Sequence, residues 1–300
     1  MALNNPAFAN PAFQEQRPGL TPPTTPGAQT PYAAAQHQGV DVAAQAQMEG
    51  MYAAPSAGAV ETDRMTVEDT VVKTVGLFAI LVATAVVGWI WTLSPLPDNG
   101  PTMMPWIIGA LGGFVLSMVV IFSSRKKIRP GLIFGYAAME GLFVGGISAY
   151  FEFVFPGIVM QATLATLAVV GVTLALFASG KVRASKKATK IFMIAMVGYL
   201  VFSLLNVVLM LVGVVPAGMM FGLHSAPSPL FGIPWGVIIG VFVIILAAYS
   251  LVLDFDQIQQ GVRNGAPRKF AWMGAFGIMV TVVWLYVEIL RMLAILRGSE

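Results

Sequence analysis

The chain has 300 residues, of which 57% are hydrophobic and only 10% charged, and 17 basic against 14 acidic side chains leave a net charge of +3. Soluble domains carry about 25% charged residues, so this chain cannot cover a water-facing surface and falls in the integral-membrane class. It has no cysteine, which excludes disulfides and thiolate metal sites, and its two histidines, His37 and His224, fall in low-complexity or loop-like sequence, which argues against a histidine-based metal centre.

Residues 1–65 are rich in Pro, Ala, Gln and Gly and hold a short repeat, Asn5-Pro6-Ala7-Phe8 and Asn10-Pro11-Ala12-Phe13. They lack the apolar run of a signal peptide. They also have too little apolar periodicity to offset chain entropy, so a disordered cytoplasmic tail is expected. The repeat reads as low-complexity drift or as a short linear motif for a partner. Order is expected to begin near Thr66, where Thr66-Val67-Glu68-Asp69 resembles a capping box with Asp in place of Glu or Gln. Seven apolar stretches follow, at about 71–93, 104–123, 131–151, 157–178, 190–215, 235–256 and 270–296. Each reaches or exceeds the ~20 residues that a helix needs to cross a bilayer. The third and fourth are separated only by Glu152 and Pro156-Gly157. Residues 66–300 therefore form one seven-helix transmembrane domain, an all-α integral membrane fold.

Charge in the loops sets a direction. Arg125, Lys126, Lys127 and Arg129 lie between the second and third stretches, Lys181, Arg183, Lys186, Lys187 and Lys190 between the fourth and fifth, and Arg263, Arg268 and Lys269 between the sixth and seventh. The alternate loops carry no lysine or arginine. The positive-inside rule then puts the N-terminus in the cytoplasm and the C-terminus outside. Gly109-x3-Gly113, Gly141-x3-Gly145 and Gly236-x3-Gly240 each put two glycines on one helix face, where backbones can approach closely. They are read as packing within one bundle, and a monomer is favoured.

Ionisable residues within or beside the stretches are few: Lys73, Glu140, Asp254, Asp256, Glu288 and Arg291. Such residues are functional candidates by default. Glu140 is about 13 Å into the third helix at 1.5 Å per residue, so it is either a neutral hydrogen-bonded carboxyl or a paired one. Asp254 and Asp256 end the apolar run that starts at Trp235, at the expected cytoplasmic boundary. Two residues apart on a helix, they diverge by about 200°. Asp254 is the better candidate for the buried group, facing Arg125, Lys126 or Lys127 at the same depth, and Asp256 for the solvated one. The plainer alternative is that both cap the helix. Glu288 and Arg291 are three apart, a spacing that allows a pair on one face. Thr281 lies two turns before Glu288 on that face. No phosphate-binding glycine loop, His-Glu-x-x-His pair or Gly-x-Ser-x-Gly elbow is present, and the last helix has no lysine for a retinal Schiff base. An enzyme is not expected.

Leu253-Asp254-Phe255-Asp256-Gln257-Ile258, Trp284-Leu285-Tyr286-Val287-Glu288-Ile289-Leu290-Arg291 and Glu140-Gly141-Leu142-Phe143-Val144-Gly145-Gly146-Ile147-Ser148 resemble segments of the Bax inhibitor-1 (TMBIM) family, over roughly residues 66 to 297. The resemblance is greatest to the bacterial YetJ/YccA-like branch, and the Ala/Val-rich composition points to an actinobacterial member. It implies a seven-helix bundle with the last helix central, and a pH-sensitive calcium leak. In bacterial relatives a sixth-helix aspartate shares a proton with a seventh-helix aspartate, and an arginine latches the pore. The sixth-helix aspartate corresponds to Asp254, the seventh-helix one falls on Thr281, and the latch falls on Arg125, with Arg291 as a second candidate. Thr281 can donate a hydrogen bond to a carboxylate but cannot share a titrating proton, so Glu140 or Glu288 is left to supply a second carboxylate.

The expected function is a pH-modulated calcium or cation leak of the bacterial inner membrane. Asp254 would be the calcium-binding or gating group, with Asp256, Glu140, Glu288 and Thr281 as further ion-binding or gating candidates. No cofactor is expected beyond calcium as a bound or transported ion, and no nucleic acid. The alternative is a non-transporting regulator that binds a membrane protein such as a protease. A proton-coupled transporter would predict an inverted repeat, and none is visible.

Overall fold

The computed structural model describes residues 63–94, 100–216, 219, 221–229 and 232–298. The expected disordered tail, its repeat and His37 lie outside the described residues. Among the described residues, seven helices are long and apolar enough to cross a membrane: α1 (Val67–Leu93), α2 (Met104–Ser124), α3 (Pro130–Val154), α4 (Ile158–Ala178), α5 (Lys186–Leu211), α6 (Trp235–Arg263) and α7 (Ala271–Arg297). Two short 3-10 turns, Gly222–Ser225 and Arg268–Phe270, precede α6 and α7.

Local chemistry sets the helix ends. The Thr66 hydroxyl accepts the Asp69 N–H at 3.0 Å, as the capping sequence predicts. Ser185 does the same for α5, accepting from the Ala188 N–H at 3.2 Å. The third and fourth helices are separate, and Glu152 makes the corner. Its carboxylate accepts the Gly157 N–H at 2.6 Å and the Val159 N–H at 3.0 Å, satisfying the start of α4. Gly157, at φ +84°, supplies the left-handed backbone that the turn requires.

Two helix ends differ from the sequence expectation. α5 stops at Leu211, four residues early, just before Gly213 at φ +74°. α6 runs on to Arg263, two turns past the apolar run, and ends at Asn264 before Gly265 at φ +62°. Asp254 and Asp256 are therefore inside a helix and do not cap one. The polar residues beyond them, Gln257, Gln259 and Gln260, are good helix formers, so hydropathy ends before the helix does.

Small residues set the packing. α3 lies between α1 and α2. A Cβ on Gly141 or Gly145 would collide with the α1 backbone at Leu81 or Ala85, and one on Gly109 would collide with Phe143 of α3. Gly236 and Gly240 bring α6 against Ile295 and Met292 of α7. All three glycine pairs thus serve contacts within one chain. α7 touches α1, α3, α4 and α6, which makes the last helix the centre of the bundle. Its two halves close separate cores, Met273, Phe276 and Met279 against α1–α3, and Leu285, Ile289 and Leu290 against α3, α4 and α6. α5 is peripheral: Phe192 and Asn206 are its buried residues, Met193 and Met196 pack partly against the α6 side, and much of its remaining apolar surface, such as Ile194, Leu204 and Leu211, is exposed.

The end with the basic loops is clasped. Met65 N–H donates to the Ala266 carbonyl at 2.8 Å, and Arg268 N–H to the Asp63 carbonyl at 2.9 Å. Asp69 pairs with Lys73 and, at 3.1 Å, with Arg268. The entry to α1 is thereby fixed to the α6–α7 turn.

Candidate functional site

The α6–α7 interface holds the most deeply buried carboxylate. Asp254 has no exposure and Thr281 is 4% exposed. Thr281 Oγ1 donates to Asp254 Oδ2 at 2.6 Å. Ser250, one turn before Asp254, lies 3.5 Å from Thr281 Oγ1. A hydroxyl has one proton, and that of Thr281 is committed to the carboxylate, so Ser250 is the donor to Thr281. At 3.5 Å the Ser250 contact is long for an O–H···O bond, so the short Thr281–Asp254 bond is the one that holds the carboxylate. Gln257 is buried on the same face as Asp254, and its Oε1 has no hydrogen-bond partner among the described residues.

Asp256 takes the other direction, as the 200° separation requires. It is half-buried and accepts from Gln260 Nε2 at 2.7 Å, one turn on. Glu288 is 3% exposed. It is ion-paired with Arg291 and accepts from the Tyr199 hydroxyl of α5 at 3.0 Å. The i,i+3 pair is thus real and carries a third partner from a neighbouring helix. Glu140 is half-buried on the α2 side of α3, where a Cβ on Gly113 would lie 2.9 Å from its Oε2. Arg125 is exposed at the α2 C-cap, its guanidinium 5.8 Å from the Phe122 ring centre.

A cavity of about 710 Å³ lies between α5, α6 and α7. Ser250 and Thr281 line one part of it, and Tyr199, Ser203, Glu288 and Arg291 another. Glu288 therefore adjoins this space directly, Asp254 lies behind Thr281 and not on its wall, and the remaining walls are apolar. Among the described residues, no group of three or more His, Asp or Glu side chains is arranged to hold a metal ion.

Sequence reasoning missed His224. It lies in the Gly222–Ser225 turn and is 2% exposed, so it is a buried residue and not a loose loop one. Its Nδ1 is 3.1 Å from Asn206 Nδ2. Burial, reinforced by the charge of Arg291, pushes its pKa down to about 4. Asn206, the polar residue in the apolar run 204–211 of α5, was the available signal.

Seven membrane-crossing helices around a central last helix, with a hydroxyl-bonded aspartate buried at the α6–α7 contact, define a multi-pass helical membrane protein. A family profile described as Bax inhibitor 1 like matches residues 5–298. The chain belongs to the Bax inhibitor-1 family. The match begins at residue 5, so it takes in most of the N-terminal segment that the residue-level resemblance left outside. Among curated proteins and among solved structures, nothing matches.

Proposed function

We propose that this protein is a pH-modulated cation leak, with calcium as the favoured ion and Asp254 as the group that handles it. The observation that carries the reading is the state of Asp254: no exposure, inside a membrane-crossing helix, with the Thr281 hydroxyl on its carboxylate. A carboxylate in apolar surroundings is expensive, and such groups mark ion and proton pathways. Calcium takes six to eight oxygens from carboxylates, carbonyls and water. Asp254, the Gln257 amide oxygen and the hydroxyls of Thr281 and Ser250 offer one charge and a few neutral oxygens. That donor set suits passage of a partly hydrated ion better than tight capture.

Thr281 in place of a second aspartate changes how such a site would respond to pH. A hydroxyl does not titrate in the relevant range, so the response would run through the single carboxylate of Asp254 and not through a shared proton. Glu288, held by Arg291 and Tyr199, is the acidic group on the cavity wall itself. Three basic loops at one end favour a cytoplasmic N-terminus and an outward C-terminus, in the inner membrane of a bacterium.

The test is calcium uptake into proteoliposomes containing the native chain or Asp254→Ala. Faster flux through the native chain, with a dependence on pH that the variant lacks, supports the reading. Equal, pH-independent flux through both overturns it.

A further inference from the structure

The α5–α6–α7 cavity, at about 710 Å³, is far larger than an ion and falls in the range of about 300–1,000 Å³ typical of small-molecule sites. α5 is joined to the rest of the bundle by separate polar contacts. Thr189 Oγ1 lies 3.0 Å from the Tyr249 hydroxyl of α6, Tyr199 donates to Glu288 of α7 at 3.0 Å, and Asn206 Nδ2 donates to the Phe221 carbonyl at 3.1 Å. Between these contacts the cavity separates α5 from α7. Leu200 lines it and is 66% exposed, so the space opens sideways, on the surface that faces lipid.

The cavity has two kinds of wall. Tyr199, Ser203, Glu288 and Arg291 form a polar end. Between this end and the Ser250 and Thr281 hydroxyls the walls are apolar, with Met193, Met196, Leu253 and Trp284 among them. Glu288 is ion-paired with Arg291, so the polar end carries no net charge. A guanidinium has five N–H donors. Among the described residues, that of Arg291 donates only to Glu288, and its Nε–H is buried without a partner. A buried donor in that state points to an acceptor still to be supplied.

The length of the cavity selects the kind of molecule. Arg291 and Thr281, both on its wall, are ten residues apart on α7, which is about 15 Å at 1.5 Å per residue. One leaflet of a bilayer has a hydrocarbon depth of about 15 Å, half of the ~30 Å total. A single acyl chain entering from the leaflet away from the basic loops therefore reaches from Arg291 to Thr281. Its head must be uncharged, because an anionic head would meet Glu288 and a cationic one would meet Arg291. Ester and hydroxyl oxygens accept from the remaining Arg291 donors and bond with the Ser203 hydroxyl. We propose that the cavity binds one single-chain neutral lipid of the monoacylglycerol kind, its chain along the Met193, Met196 and Trp284 walls and its glycerol ester on Arg291 and Ser203. This site does not depend on whether Asp254 conducts calcium.

The test uses the full chain in phosphatidylcholine nanodiscs and a monoacylglycerol with a photoreactive diazirine in its chain. The expected result is saturable labelling of cavity residues on α5 and α7, such as Met193, Met196 and Val287, displaced by unlabelled monoolein. The same glyceride bearing a phosphate keeps the chain and puts negative charge beside Glu288, so it should compete at least about tenfold more weakly. Ser203→Phe places a ring in the polar end and should lower the saturable labelling about tenfold. Leu204→Phe, on the neighbouring position that is 63% exposed, should leave it unchanged. Labelling that monoolein does not displace, or that spreads evenly over exposed residues such as Leu111 and Phe114 of α2, overturns the proposal without any variant. Equal competition by the phosphate ester, or undiminished labelling of Ser203→Phe, also overturns it.

Discussion

Replacing Thr281 with valine keeps the side chain's shape and removes one hydroxyl. That hydroxyl is the 2.6 Å donor to Asp254 and the acceptor for Ser250. Hydrogen bonds between membrane helices are worth about 0.6 kcal/mol on average and about 1.7 at most, whereas those to charged groups in proteins reach about 1.5–3. The Asp254 carboxyl is fully buried, and a hydrogen bond to it should fall where the two ranges meet. Thr281→Val should therefore lose about 1.5–2 kcal/mol. Thr281→Ser keeps the hydroxyl and loses one methyl group, about 0.8 kcal/mol. The free energy of unfolding in mixed micelles, titrated with a denaturing detergent, compares the two. A valine variant as stable as the serine variant, or more stable, would refute the claim that this hydroxyl holds the carboxylate.

Other outcomes follow from the same geometry. Arg291→Gln leaves Glu288 buried beside Tyr199 without its cation and should cost about 3 kcal/mol; the double variant Glu288→Gln, Arg291→Gln should recover much of that in the same titration. Gly145→Ala drives a methyl into the α1 backbone at Ala85 and should cost about 1–3 kcal/mol, whereas Gly135→Ala, whose Cβ would meet only Leu116 at 3.6 Å, should leave the melting temperature unchanged. The His224 pKa lies below its unfolded value of 6.5, at about 4. Its contribution is therefore complete above pH 6.5 and lost as pH falls from there to 4, an upper bound of about 3 kcal/mol at 1.4 kcal/mol per pH unit. His224→Asn should flatten that part of the stability–pH curve, and a slope unchanged in the variant would count against it.

Much of this was legible from residue order because a membrane leaves few choices. Apolar runs of about 20 residues must be helices, and the seven found match the seven expected. The divergence of Asp254 and Asp256 follows from 100° per residue, and Thr281 was a foreseeable donor once α6 and α7 were neighbours. Hydropathy hid the last two turns of α6, because Gln257 to Arg263 continues the helix with polar residues. It also hid His224, whose local sequence, Gly222-Leu223-His224-Ser225, reads as loop. Its burial comes from Asn206, 18 residues earlier on another helix, and pairings of that kind have no periodicity. In the sequence Glu152 reads as part of a break between helices, whereas it caps α4 from the end of α3.

Asp254 is the group on which the proposed ion passage depends. Calcium flux against pH, measured in proteoliposomes for the native chain and for Asp254→Asn, tests it most directly, since the amide keeps the size and an acceptor oxygen while removing the charge and the titrating proton. The expected result is a pH-dependent flux in the native chain and a flat profile in the variant. The same pH-dependent flux in both would contradict it.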